Sequence, residues 1–271
     1  RTPRRGRPAD LTDRQTVRPG LRPPLVSPLV TAPRDLLDLT GTAVLVSGGS
    51  GPLVRGIADR FAEAGADVTV AVDQEDLDTS DAAAVDAFVT ALVERTGRLD
   101  VAIHCVGPDP GVDAATADAG RSRTVIDRDL LAGVHLSQRA NAAMQGQEGG
   151  GAIVHVTTLD AQRPRPGTAV WGAAGAGLLG LAQSLAVEWA PKVRVNTVSV
   201  GPLDLPDGPA AAAVPPVPMA RLATATDVAD ACLFLVSPLA SYVTGTDLVV
   251  HGGGEWPPFL AAASTAADQA G

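Results

Sequence analysis

Residues 39–73, LTGTAVLVSGGSGPLVRGIADRFAEAGADVTVAVD, decide the fold. Ala43 to Val46 is a continuous apolar run without alternation, as expected of a strand buried on both faces. A glycine-rich turn follows, Gly48-Gly49-Ser50-Gly51, and then a helical stretch with Pro52 at its first position, where proline is tolerated. A second apolar strand ends at Asp73. Strand, glycine turn, helix and strand in that order open a doubly wound, mostly parallel α/β sheet. Glycines at such a turn let backbone N–H groups approach a pyrophosphate at the positive end of the helix dipole. Gly48 and Ser50 are therefore candidate cofactor contacts. Asp73, at the strand end, is placed to hold ribose hydroxyls and to repel a 2′-phosphate; Asp78 completes the candidate cofactor set.

After Asp73 the chain shortens abruptly. Only Gln74, Glu75 and Asp76 precede Leu77, whereas a parallel crossover needs a dozen residues or more. The third strand and its preceding helix are expected to be shortened or missing. A helix over Asp81–Thr96 closes at Gly97, a C-cap residue. RLDVAIHCVG (98–107) reads as a strand, Pro108–Gly111 as a loop, and Arg121–Gln145 as a long helix. IVHVTTLDAQRPRPGTAVWGAAG (153–175) then gives a buried strand, a loop and the start of an Ala/Gly-rich helix that stops at Pro191. KVRVNTVSVGPLD (192–204) is the next strand, followed by the Ala/Pro-rich segment Leu205–Met219 and a closing helix and strand.

These segments resemble the short-chain dehydrogenase/reductase family from roughly Leu39 to Gly254. The family's turn reads T-G-x-x-x-G-I-G, where this chain has Ser47-Gly48-Gly49-Ser50-Gly51-Pro52-Leu53-Val54, with proline and valine in place of the second and third glycines. Its strand L-D-V-L-V-N-N-A-G matches Leu99–Gly107, with His104, Cys105 and Val106 in place of N-N-A. Leu205–Met219 corresponds to its substrate lid. The resemblance implies a single doubly wound Rossmann-type domain over 39–254, a Pro/Arg-rich arm over 1–38 and a tail over 255–271.

The resemblance also locates four catalytic positions, and none holds the family's residue. Thr158 stands for the Ser, Trp171 for the Tyr, Gly175 for the Lys and Asp129 for the Asn. In the family the Tyr gives a proton to the substrate oxygen and the Lys lowers its pKa; an indole N–H donates a hydrogen bond but does not ionise usefully. With Pro52, Val54 and the lost crossover, this leads to a first expectation: a catalytically inactive subunit without cofactor, or with NAD(H) if any. It would pair with an active family member or pathway enzyme, or with itself, through the helices 121–145 and 171–190. One alternative is an NAD(P)-dependent, ketoreductase-like oxidoreductase with a non-standard site. Another is a non-redox dehydratase, cyclase or isomerase using His104 and His155 near the strand ends, although buried histidines more often satisfy backbone groups.

The net charge of −9 is unevenly spread. Residues 1–39 carry eight Arg against four Asp, or +4, leaving −13 for the remainder. So acidic a body is a poor nucleic-acid binder. Residues 1–33 hold seven prolines and little periodicity, as in a leader with no core of its own. Its apolar patch Leu25–Val30, LVSPLV, also suits an extended arm that orders along a partner subunit. Cys105 and Cys232 lie in apolar contexts and read as reduced core thiols of a cytoplasmic protein. No metal site is expected, and no run approaches eighteen uninterrupted apolar residues.

Overall fold

A computed structural model describes residues 36–73, 75–107, 111, 114–205 and 217–254. Six strands form one parallel sheet: β1 (Ala43–Gly48), β2 (Asp67–Val72), β3 (Val101–Cys105), β4 (Gly151–Thr158), β5 (Val193–Val200) and β6 (Asp247–Val250). Their order is β2-β1-β3-β4-β5-β6, with the reversal beside β1 that marks a doubly wound sheet. Helices α1 (Pro52–Glu63) and α6 (Ala225–Val236) cover one face. The other face carries α2 (Ala82–Thr96), α4 (Ala132–Gly146) and α5 (Ala169–Trp189).

The shortened crossover has the predicted consequence. Among the described residues no strand pairs with the outer side of β2; a single bridge, Asp73 to Leu77, is what remains before α2. β2 is thus an edge strand. Asp81 caps α2 by accepting from the Ala83 N–H, and Gly97 closes it at φ 74°, a left-handed conformation that favours glycine.

The predicted helix over 121–145 is longer and interrupted. It begins as α3 (Ala119–Val125), widens into a π-turn over Ile126–Leu131, and continues as α4. The π-turn is where Asp129 sits. α5 is long and apolar enough to cross a membrane by length and composition. Gly172, Ala174, Gly175, Leu178, Ala182, Leu185 and Ala186 are its buried residues, and Ala182 and Leu185 join the core beneath it, so it serves as a covering helix of the sheet. Most of the arm (1–35 of 1–38), most of the lid (206–216) and the tail over 255–271 lie outside the described residues.

Candidate active site

The candidate site lies at the C-terminal ends of β1, β3 and β4, where the loops of such a sheet converge. Gly48 ends β1 at φ 148°, and a Cβ there would stand 2.7 Å from the Cys105 carbonyl oxygen, so only glycine fits. Around Gly49 and Gly51 an added Cβ would meet nothing within 4 Å, so the turn is open on its outer side. Ser50 is exposed. Pro52 occupies the first position of α1, and Gly51 offers no side-chain cap to the N–H groups behind it. Val54 does not obstruct the turn: it is 4% exposed and packs inward, its Cγ2 lying 3.1 Å from where a Gly48 Cβ would be. The open glycine turn at a helix N-terminus fits a dinucleotide pyrophosphate, with one donor fewer than a proline-free turn would offer.

Asp73 follows β2 and its Oδ1 accepts from the Thr79 N–H at 3.1 Å and the Thr79 hydroxyl at 2.6 Å. Asp78 is exposed, its Oδ1 accepting from the Ser80 N–H and hydroxyl. The two candidate cofactor carboxylates thus belong to one tight turn beside the glycine loop, bridged to β2 by Asp73 and Leu77.

A second cluster joins β3, the π-turn and α5. Asp129 is fully buried, and its carboxylate accepts from the Gly107 N–H at 3.0 Å and from Arg128 Nε and Nη2, both at 2.7 Å. Adjacent residues on an α-helix point roughly 100° apart; here this neighbouring pair closes a bidentate contact within the π-turn. The Trp171 indole N–H donates to the Gly107 carbonyl at 3.1 Å. Gly107 therefore receives Asp129 on one side and Trp171 on the other. Thr158 accepts from the Asp160 N–H at 3.1 Å, while Arg165 pairs with Asp160 at 2.9 Å. On the outer side of Trp171 a small cleft is lined by Ala117, Arg121, Ser122, Val125 and Val170.

Gly175 faces the β4 end. A Cβ there would lie 2.7 Å from Thr157 Oγ1, 3.1 Å from Ala161 Cβ and 3.3 Å from Thr158 Cγ2. α5 has closed onto the strand where the family's lysine would stand.

His104 and His155 are register partners on β3 and β4, with ring centroids 6.0 Å apart at 76°. Neither reaches the open edge; they are 1% and 0% exposed. His104 Nε2 donates to the Asp129 carbonyl at 3.0 Å, leaving Nδ1 for the Ser47 hydroxyl at 3.3 Å. The buried Asp129 carbonyl thus accepts a side-chain hydrogen bond from β3. His155 Nε2 meets the Ser137 hydroxyl at 3.0 Å, while its Nδ1 and the Thr157 hydroxyl have no partner among the described residues. Burial lowers the His104 pKa, partly offset by its hydrogen bond to Asp129. Burial, then the neighbouring His104, takes His155 down to about 3. Both rings are neutral near pH 7. Cys105 and Cys232 are buried free thiols, and burial pushes Cys105 up to about 12, far from a nucleophile's range.

Arg128, Ser137 and Thr157 were not singled out from sequence. The adjacent Asp-Arg-Asp run (127–129) was the available signal for Arg128, but its pairing depends on the π-turn.

Comparison with known proteins gives this geometry a family. The profile of the family described as Enoyl-(Acyl carrier protein) reductase matches residues 53–255. The chain belongs to the short-chain dehydrogenase/reductase family. Peroxisomal 2,4-dienoyl-CoA reductase of Rattus norvegicus is 33% identical over 63% of this chain and 61% of its own. The NADP-dependent mannitol dehydrogenase of Hypocrea jecorina is 31% identical over 83% of this chain and 97% of its own. Among solved structures, 3-ketoacyl-(acyl-carrier-protein) reductase from Brucella melitensis, complexed with NADH, superposes with a TM-score of 0.74. It is 26% identical, covering 79% of this chain and 98% of that one. The chain spans about three-fifths of the length of the dienoyl-CoA reductase it matches.

These relatives overturn the expectation of an inactive subunit. They are named as reductases and dehydrogenases, and they favour an NAD(P)-dependent oxidoreductase. The physical error lay in treating a missing proton donor as a missing reaction. The expectation rested on Trp171 and Gly175 at two positions that the resemblance assigned, whereas the open turn at Gly48–Gly51 is a separate feature.

Proposed function

We propose that this protein is an NAD(P)-dependent oxidoreductase with a non-standard site, acting as a reductase of a carbon–carbon double bond conjugated to a carbonyl. The observation that carries the reading is at Trp171. The position that holds the family's acid carries an indole whose N–H is already given to Gly107, beside an open glycine turn. A nicotinamide cofactor supplies a hydride when bound along that turn. Gly48, Ser50 and the N-terminus of α1 would hold its pyrophosphate, and Asp73 its adenosine ribose, with a preference for NAD(H) over the 2′-phosphorylated form.

Reducing an isolated carbonyl builds charge on an oxygen that must take up a proton, which calls for a general acid. Reducing a conjugated double bond spreads that charge onto a carbonyl oxygen, which needs a hydrogen-bond donor, while the carbon takes its proton from water. Thr158 suits the second task. Its oxygen accepts from the Asp160 N–H, and its own hydrogen has no acceptor among the described residues. Arg128 and Asp129 hold Gly107, and Trp171 closes the other side of that residue, so the three position the loop against which substrate would lie. The names of the matched family and of the rat relative, an enoyl and a dienoyl reductase, support the same substrate class.

The test is NADH consumption by the full chain with 2-enoyl and 2,4-dienoyl thioesters, set beside 3-ketoacyl thioesters. Turnover with the unsaturated substrates, reduced at least tenfold in Thr158→Val, is expected. Turnover confined to the ketoacyl substrate would overturn the proposal.

A further inference from the structure

Two hydrogen-bond donors meet without an acceptor at the ends of β4 and β6, outside the cluster around Gly107. The loop after Thr158 turns back at once, and the Arg163 N–H donates to the Leu159 carbonyl at 2.9 Å. Beside it, the Gln162 amide donates to Asp247 of β6 and, at 3.3 Å, to Ser199 of β5. The loop is thereby carried from the end of β4 across to β6. There Arg163 Nη1 lies 2.5 Å, and Cδ2 of the His251 ring 3.3 Å, from where a Gly254 Cβ would stand. The guanidinium and the imidazole edge converge on one point.

Glycines make room for this. Gly252, Gly253 and Gly254 have φ of 61°, 95° and 80°, and a side chain at position 254 would displace Arg163. The turn is braced from outside: the Met219 N–H donates to the Gly252 carbonyl at 3.1 Å, and Pro218 lies against Gly253. At the end of β5, a Cβ on Gly201 would stand 2.9 Å from His251 Cβ, so His251 occupies the space that this glycine leaves. Nearby carboxylates are already engaged. Asp160 pairs with Arg165 at 2.9 Å, and Asp247 accepts from Thr197, Ser199 and Gln162. Neither the Arg163 guanidinium nor the His251 ring has a partner among the described residues.

We propose that Arg163 and His251 form a subsite for an anionic oxygen group, a carboxylate or a phosphate, at the end of the substrate remote from its double bond. An arginine donates to such a group through charge-assisted bonds, and a histidine ring offers an N–H whether or not it is charged. The place of the subsite in the reaction rests on the reductase reading, because the loop that carries Arg163 begins at Thr158. The anion belongs either to a thioester carrier, as phosphate, or to the acyl chain, as carboxylate. Binding so far from the reacting carbons is uniform through the reaction, so it sets KM and leaves kcat unchanged.

The first test follows the His251 ring by NMR while the full chain is titrated with inorganic phosphate and with acetate, beside Arg163→Gln. A saturable shift with at least one anion, weakened at least tenfold in the variant, is expected. No saturable shift with either, or one indifferent to Arg163→Gln, would overturn the proposal. Kinetics then identify the source of the anion, with a 2-enoyl group carried on coenzyme A, on N-acetylcysteamine, or on N-acetylcysteamine with a terminal carboxylate on the acyl chain. Arg163→Gln should raise KM at least tenfold for the first if the anion is a carrier phosphate, or for the third if it is an acyl carboxylate. KM for the second, and kcat throughout, should stay as they are. The same change in all three, or none, would also overturn the proposal. Should no thioester turn over, the reductase reading falls, and the anion titration alone decides the subsite.

Discussion

The two faces of the sheet are built from the same strands and differ in one half. Toward α1 and α6 the residues are mostly apolar, with Val44 and Val46, Ile103 and Cys105, Val154 and Val156, Val198 and Val200; the exceptions are Arg194 and Asn196 of β5, which donate to the carbonyls of Leu235, Val236 and Val243. Toward α2, α4 and α5 they are apolar only at the N-terminal half, with Leu45, Ala102, Ile153, Val193 and Val195. The C-terminal half of that face is a buried polar row of Ser47, His104, His155, Thr157, Thr197 and Ser199. One face holds the fold together. The other carries the groups that shape the π-turn and the strand ends, including two buried polar atoms, His155 Nδ1 and Thr157 Oγ1, without a partner among the described residues.

The contrast is sharpest at Gly175, where α5 rests on Thr157. Gly175→Lys forces a Cβ to 2.7 Å from a buried hydroxyl and should cost about 3 kcal/mol, or roughly 10 °C in melting temperature. A lysine accepted there without loss would show that α5 is not closed onto β4. A smaller effect comes from the histidines. Their folded pKa values lie below the ordinary 6.5, so the unfolded chain takes up protons that the folded one refuses. Stability from this source is complete above pH 6.5 and falls as the pH drops toward about 3. Between pH 6.5 and 5, His155 should account for about 2 kcal/mol in urea unfolding. His155→Leu should remove that part of the slope; an unchanged slope would mean that the ring is not held neutral. The smallest effect belongs to Trp171→Phe, which keeps the ring bulk, loses the bond to Gly107 and should cost about 1 kcal/mol. No change would detach Trp171 from the loop.

Much of this architecture was legible in the sequence because local chemistry and fold agree. Asp81 and Gly97 bound α2 as their residue types require, and the short link from Asp73 to Leu77 foretold the missing strand. A glycine at position 48 is demanded by backbone sterics alone. The π-turn was not legible: a widened turn leaves the helical pattern nearly intact, and its consequences, the Arg128–Asp129 clasp and the His104 bond to the Asp129 carbonyl, are tertiary. Placing His104 and His155 near the strand ends was right along the sheet, but sequence spacing does not report depth, and both are sealed beneath the helices. The functional expectation failed at a different level. The relatives are named as reductases and dehydrogenases of different substrates, so one framework serves several reactions.

Oxidoreductase chemistry in this fold depends first on the open turn at Gly48–Gly51. Calorimetric titration of the full chain with NADH and NADPH tests it. Saturable binding, tighter for NADH because Asp73 opposes a 2′-phosphate, is the predicted result. An absence of heat and of any thermal shift up to millimolar concentrations of either nucleotide would contradict it.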